Sequence, residues 1–185
     1  MDLLLKAEGF ASSKVALSRY ARVLEHGPKP LGSSLAAFFG LIYIQDKSSF
    51  LPALCLDPEP GEVVLDMCAS PGSKTGVLSQ LVGPYGGVLA NEPNRTRLQT
   101  LRKNLQIQNL FNVASTRYPG QDFPQLDRPV HILCDVPCSG WGTVDRHPKV
   151  KSMWTDDRIG PFIELQQKIL GRAACLLQPV TRLIY

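Results

Sequence analysis

From Glu62 onward, short apolar runs alternate with longer stretches whose apolar residues recur every three or four positions. The short runs are "EVVLDMC" (62–68), "GGVLANE" (86–92), "NVAST" (112–116), "HILCDV" (131–136) and "TRLIY" (181–185). They are β-branched and bounded by turn signals such as Pro60-Gly61 and Ser70-Pro71-Gly72, which predicts strands. The stretches between them, "SKTGVLSQLV" (73–82), "RTRLQTLRKNLQIQNL" (95–110) and "FIELQQKILGRAACLLQ" (162–178), predict helices. In the second of these, Leu98, Leu101 and Leu105 fall on one face. Strands regularly separated by helices imply βαβ crossovers and a mostly parallel sheet covered on both faces, an α/β fold. Residues 1–61 are different: Gly, Pro and Ser separate short apolar segments, and no long helical period emerges.

In open parallel sheets, ligands sit beyond the carboxyl ends of the strands, where the strand order reverses. The unusual residues gather at those ends. "DMCASPGSK" leaves the first predicted strand, Glu92 closes the second, and "DVPCSG" leaves the fourth. "CASPGSKT" resembles a phosphate loop only superficially, since Ser73 separates Gly72 from Lys74 and Met67 stands where another glycine is required. A dinucleotide fingerprint fails as well, because three spaced glycines are needed and Gly72 is nearly alone. What remains is a tight strand-to-helix turn, with Gly72 expected to let the backbone approach a ligand and the helix N-terminus free for a carboxylate. Glu92, about 20 residues further on, suits the hydroxyls of a ribose. Together these features favour a phosphate-free adenosine ligand bearing a carboxylate, S-adenosylmethionine.

Composition narrows the classes without deciding among them. The chain has 185 residues, 44% hydrophobic and 19% charged, which suits one domain with a small appendage. No apolar run reaches membrane-spanning length, and "MDLLLKAEGF" lacks the basic head and apolar stretch of a secretion signal, so a cytoplasmic location is expected. Five cysteines without paired C-x-x-C spacing support neither a disulfide framework nor a metal site. A net charge of +4 permits a polyanionic partner, and Lys14, Arg19, Arg22 and Lys29 are either phosphate contacts or solvated surface.

The cysteines separate by position. Cys55, Cys134 and Cys175 read as inert small hydrophobes. Cys138 follows Pro137, which stops ladder bonding, and precedes the Ser139-Gly140 bend, so its sulfur is expected at the strand mouth with Asp135 three residues back. A thiol beside a sulfonium methyl donor has a specific use. Carbon 5 of a pyrimidine is too weak a nucleophile to take the methyl unaided, and a thiolate added at carbon 6 makes it enamine-like. Asp135 is placed to orient the base's amino group.

"VLDMCASPGSKT", "DVPCSGWGT", "RHP" at 146–148 and "IYIQDKSSFLP" at 42–52 together resemble the Sun-type family of RNA cytosine-5 methyltransferases. The resemblance implies a Rossmann-like methyltransferase domain over 41–185 and the tail of an RNA-binding extension over 1–40. It implies that Cys68, Ala69, Ser70, Pro71, Gly72, Ser73 and Lys74 hold S-adenosylmethionine together with Glu92, and that Arg97 lies nearby. Asp135 then stands at the boundary of cofactor and target base, and Lys74 belongs to the catalytic centre. Cys138 assists product release, while the attacking thiol is expected in a Thr-Cys motif after the fifth strand, past Tyr185. By this reading the chain lacks its final strands. A DNA cytosine methyltransferase, in which the Pro-Cys thiol itself attacks, and a non-catalytic RNA- and cofactor-binding fragment are the alternatives.

Arg146, His147, Lys149 and Lys151, with Trp141 and Trp154, suit a single RNA strand whose bases are splayed and stacked, in ribosomal or transfer RNA. Two departures from the family pattern stand out. Pro119 replaces the acid usual after the third strand, with Asp122 as a displaced substitute, and Pro179-Val180-Thr181 replaces a Gly-Gly turn before the fifth.

Overall fold

The computed structural model describes every residue except 17, 145–149 and 151–158. An N-terminal helix α1 (Asp2–Ala7) is followed by an antiparallel hairpin of β1 (Ala11–Val15) and β2 (Ser18–His26), with irregularities in its register. Two short helices, α2 (Leu35–Phe38) and α3 (Leu51–Leu56), lead to the main sheet. Its strands are β3 (Val63–Asp66), β4 (Gly87–Asn91), β5 (Val113–Thr116), β6 (His131–Leu133) and β7 (Leu183–Ile184). They are parallel throughout and ordered β5-β4-β3-β6-β7. The order turns at β3, between β4 on one side and β6 on the other, which is the switch point expected from the alternating pattern.

Helices α4 (Ser73–Val82), α5 (Arg95–Ile107) and α6 (Ile159–Leu176) cover the sheet. Strand alternation divides the core. Val64, Val88 and Leu133 pack with Ala53 and Leu56 of α3 and with Val77, Leu78 and Val82 of α4. Leu65, Met67 and Ile132 turn the other way, onto Ile169, Ala173 and Leu176 of α6. Leu98, Leu101 and Leu105 seat α5 on Ala69 and Ala90. Burial on both faces explains why these strands read as continuous apolar runs. Fully burying one such leucine is worth roughly 1.5–3 kcal/mol.

The strands are shorter than the apolar runs that predicted them. β3 ends at Asp66 and β6 at Leu133, so Cys68 and Asp135 fall beyond the ladder, at the mouth. The hairpin was not predicted. In "ASSKVALSRYARVLEH" serines interrupt the alternation, and pairing rests on contacts between two segments neither of which has a clean apolar face. A small separate cluster of Leu5, Phe10 and Ala36 anchors this region.

Two cysteine assignments are corrected. Cys134 is buried, but Cys55 and Cys175 are exposed. On α6 the buried stripe is Ile169, Ala173 and Leu176, and Cys175 lies off it. Before β7, Val180 takes φ +68° and is almost fully exposed. This is the left-handed conformation that a glycine would adopt without strain, occupied by a β-branched residue. No helix among the described residues is long and apolar enough to cross a membrane.

Candidate active site

The loop after β3 turns sharply into α4. Gly72 has φ +108°, and a Cβ there would stand 3.1 Å from Leu101 Cδ1. The glycine is needed for its backbone angle and for packing against α5, and it is itself buried. Arg97 ties the loop to α5: its guanidinium donates to the Ser70 carbonyl at 3.1 Å, and Ser70 Oγ donates back to the Arg97 carbonyl at 3.1 Å. Asn104 Nδ2 donates to the Pro71 carbonyl at 2.8 Å.

A crevice of about 220 Å³ opens at the switch point, lined by Cys68, Glu92, Arg97, Gly120, Gln121 and Pro137 among others. Glu92 is 2% exposed. Its Oε1 accepts the Asn94 N–H at 2.9 Å, and Oε2 lies 3.4 Å from the Arg97 guanidinium. Of the residues after β5, Gln121 lines the crevice, whereas Asp122 is exposed and does not. Asp122 is thus not brought to the crevice as a substitute acid, while Pro119, which stands in the acid's place, lines it.

At the mouth of β6, Lys74 Nζ lies 2.6 Å from Asp135 Oδ2. α4 and β6 thus bring together two residues 61 positions apart in the chain. Cys138 is exposed just beyond, on a segment held by Gln166 of α6, whose Nε2 donates to the Pro137 carbonyl at 2.8 Å. Cys68 differs: burial first, then the negative charge of Cys134, Asp66, Glu92 and Asp135, pushes its thiol well above the ordinary range. Burial likewise pushes the Cys134 thiol up to about 12. Neither is a nucleophile at neutral pH. Arg146, His147, Lys149, Lys151 and Trp154 lie outside the described residues.

Two residues important here were not singled out from the sequence. Asp66 is 1% exposed; Oδ2 accepts the Thr75 hydroxyl at 2.7 Å, while Oδ1 is buried without a partner. Its carboxyl is raised to about 6, chiefly by burial, against the opposing hydrogen bond from Thr75. An aspartate closing an apolar run was the available signal. Asn91, fully buried, donates to the carbonyls of Met67 and Tyr118 and accepts from Thr116 Oγ1 and the Tyr118 N–H. It fastens the ends of β3, β4 and β5 together, and nothing in the sequence foretold it.

The sheet order and the crevice at its switch point define the Rossmann-like fold of S-adenosylmethionine-dependent methyltransferases. Residues 53–185 match the family described as 16S rRNA methyltransferase RsmB/F, and the chain belongs to that family. It is 38% identical over 161 residues to ribosomal RNA small subunit methyltransferase F of Shewanella amazonensis, a match covering 83% of this chain and 34% of that protein. It is 34% identical over 157 residues to the 28S rRNA (cytosine-C(5))-methyltransferase of Mus musculus, covering 83% of this chain and 19% of the relative. The crystal structure of NSun6 from Pyrococcus horikoshii with SFG, an S-adenosylmethionine analogue, superposes with a TM-score of 0.72 at 26% identity, covering 85% of this chain and 41% of that one. The chain spans about a third or less of the length of these curated relatives.

Proposed function

We propose that this chain carries the cofactor site and part of the catalytic centre of an S-adenosylmethionine-dependent RNA cytosine-5 methyltransferase, acting on ribosomal or transfer RNA. The observation that carries the reading is the Lys74–Asp135 pair at 2.6 Å, placed where the Pro137-Cys138 segment leaves the sheet beside the crevice. The crevice residues fit the cofactor. Glu92 presents a buried carboxylate whose oxygens retain capacity for two ribose hydroxyls, and Cys68, at the start of the loop after β3, lines the crevice with it. Bound there, S-adenosylmethionine supplies an electrophilic sulfonium methyl.

The chain's own residues prepare the base. The target cytidine has to leave the stack, because a stacked base hides its reacting carbons. Asp135 accepts a hydrogen bond from the exocyclic amino group, and Lys74, held against it, fixes the carboxylate's orientation. A thiolate bonds to carbon 6, and its electron pair makes carbon 5 nucleophilic toward the methyl carbon. Once the methyl is attached, a base takes the carbon 5 proton, the C5–C6 double bond re-forms, and the sulfur leaves as thiolate. The resemblance assigns the attack to a Thr-Cys thiol following β7 and the release step to Cys138. Residues 1–40 serve as an RNA-facing extension, and Arg146, His147 and Lys149 contact the strand near the target.

RNA carrying 5-fluorocytidine tests the scheme, since fluorine at carbon 5 blocks the proton loss that precedes release. A full-length form should give a denaturant-stable protein–RNA adduct that depends on the cofactor. Cys138→Ser should accumulate adduct even on ordinary cytidine RNA. Absence of any adduct from a protein that binds the cofactor would remove the thiol mechanism, and loss of adduct in Cys138→Ser would make Cys138 the attacking group.

A further inference from the structure

A second cavity, about 230 Å³, lies between the N-terminal hairpin and the outer side of α4 and shares no lining residue with the crevice. Its walls are mixed. Leu24, Ile42, Ile44 and Val77 supply apolar surface, while Gln45, Gln80 and Gln108 bring three neutral amides and Tyr20 and Tyr43 two aromatic rings. The volume is close to that of the crevice and leaves room for a planar ring.

Among the described residues no carboxylate side chain lines the cavity, and its cationic side chain, Arg22, is committed elsewhere. That guanidinium donates to the carbonyls of Arg19 and Ala21 and reaches Asp2 Oδ2 at 3.2 Å. The occupant the lining suits is therefore uncharged, flat and able to hydrogen-bond. An independent observation gives the polarity of one of those bonds: Gln45 Oε1 is buried without a hydrogen-bond partner. An acceptor left this way favours an incoming N–H donor, because an unmatched buried polar group is costly.

Position relates the cavity to the reaction. Ser73 lines it, and Lys74, one peptide unit and ~3.8 Å further along the chain, holds Asp135. Gly40, at φ +67°, lets the 40–45 segment run against the end of α5 and close the far side.

Resting on the function proposed above, we propose that this cavity is a flanking-base subsite: it takes one unpaired nucleobase of the RNA strand, neighbouring the target cytidine, whose N–H group donates to Gln45 Oε1. The site contributes sequence preference beside the methylated position. Aromatic and apolar walls with a hydrogen-bonding edge are the general means by which proteins read single-stranded bases.

The test uses residue-resolved NMR of residues 1–185 with S-adenosylhomocysteine saturating the cofactor site, so that added adenosine cannot occupy it. Adenosine in the millimolar range should perturb the Gln45 side-chain amide and Tyr43. Gln45→Met should weaken that binding about five-fold or more while S-adenosylhomocysteine binding stays unchanged. The proposal is overturned if shifts are absent from the cavity residues, or if a folded Gln45→Met binds adenosine as wild type does. Should Gln45→Met fail to fold, Gln80→Leu, at an exposed lining position, is judged by the same criterion. RNA affinity of the wild type is measured separately by fluorescence anisotropy. A protein that binds no RNA loses the substrate reading above, while the adenosine titration still decides whether the cavity takes a base.

Discussion

The two ends of the parallel sheet are built on opposite principles. At the amino ends of the strands, His131 Nδ1 accepts the Arg182 N–H at 3.1 Å, leaving Nε2 to face Glu62 Oε2 at 2.9 Å. Glu62 also accepts the Glu59 N–H at 2.7 Å, and the Arg182 guanidinium donates to the Asp57 carbonyl. Burial pushes the Glu62 carboxyl up, but these hydrogen bonds outweigh it and hold it below its usual value. Every member of this clasp is matched. At the carboxyl ends, Asp66 keeps an unmatched buried oxygen and a raised carboxyl, and the Lys74–Asp135 pair opens to solvent. Matched polar groups secure a fold, and unmatched ones are where a folded chain holds interaction capacity for something else.

The comparison breaks most sharply at Asn91, a mouth residue that behaves like the clasp. Its four hydrogen bonds join three strand ends, so Asn91→Leu, nearly equal in size, should lower unfolding free energy by about 3–4 kcal/mol. Urea denaturation measures this. A loss under about 1 kcal/mol would mean that packing alone sets the mouth's geometry.

Asp66 sharpens the contrast through pH. Its carboxyl is raised from 3.8 to about 6 in the folded chain, so the fold binds a proton that the unfolded chain has released. The associated stability is present in full below pH 4 and is lost as pH rises through about 6. The move corresponds to at most about 3 kcal/mol. Asp66→Asn keeps an acceptor for Thr75 but cannot ionise, so its stability relative to wild type should climb between pH 4 and pH 7. Parallel pH profiles for the two proteins would show that Asp66 ionises in the fold as freely as it does unfolded.

What the sequence discloses follows from how local each cause is. The strands and helices after Glu62 are local patterns of one face or two, and they are all present. The place of Glu92, Lys74, Asp135 and Cys138 at the sheet's mouth was legible because turn residues mark where strands stop. Asn91 and Gln121 depend on which distant segments meet, and no window of sequence contains their partners; the hairpin lies within one window, but its interrupted alternation hides it. Cys175 falls between these cases. The period that buries Ile169, Ala173 and Leu176 already excludes it from the core, and cysteine's general preference for burial obscured that. Gly72 was expected to let the backbone approach a ligand; that its Cβ side also packs on Leu101 was not visible in the sequence.

The smallest stability effect is expected at Asp135, the residue to which the proposed function gives the base's amino group. Asp135 is 55% exposed and Lys74 18%, so their pair gains little over hydration and is screened by salt. Asp135→Asn should shift unfolding free energy by no more than about 0.5 kcal/mol, far less than Asn91→Leu at the same mouth. Methyl transfer by a full-length form should nonetheless fall about 100-fold or more, because the amide neither balances Lys74 nor presents two acceptor oxygens to the base's amino group. A shift above about 1 kcal/mol with normal turnover would place Asp135 among the structural groups and move the division between the sheet's two ends away from its strand mouths.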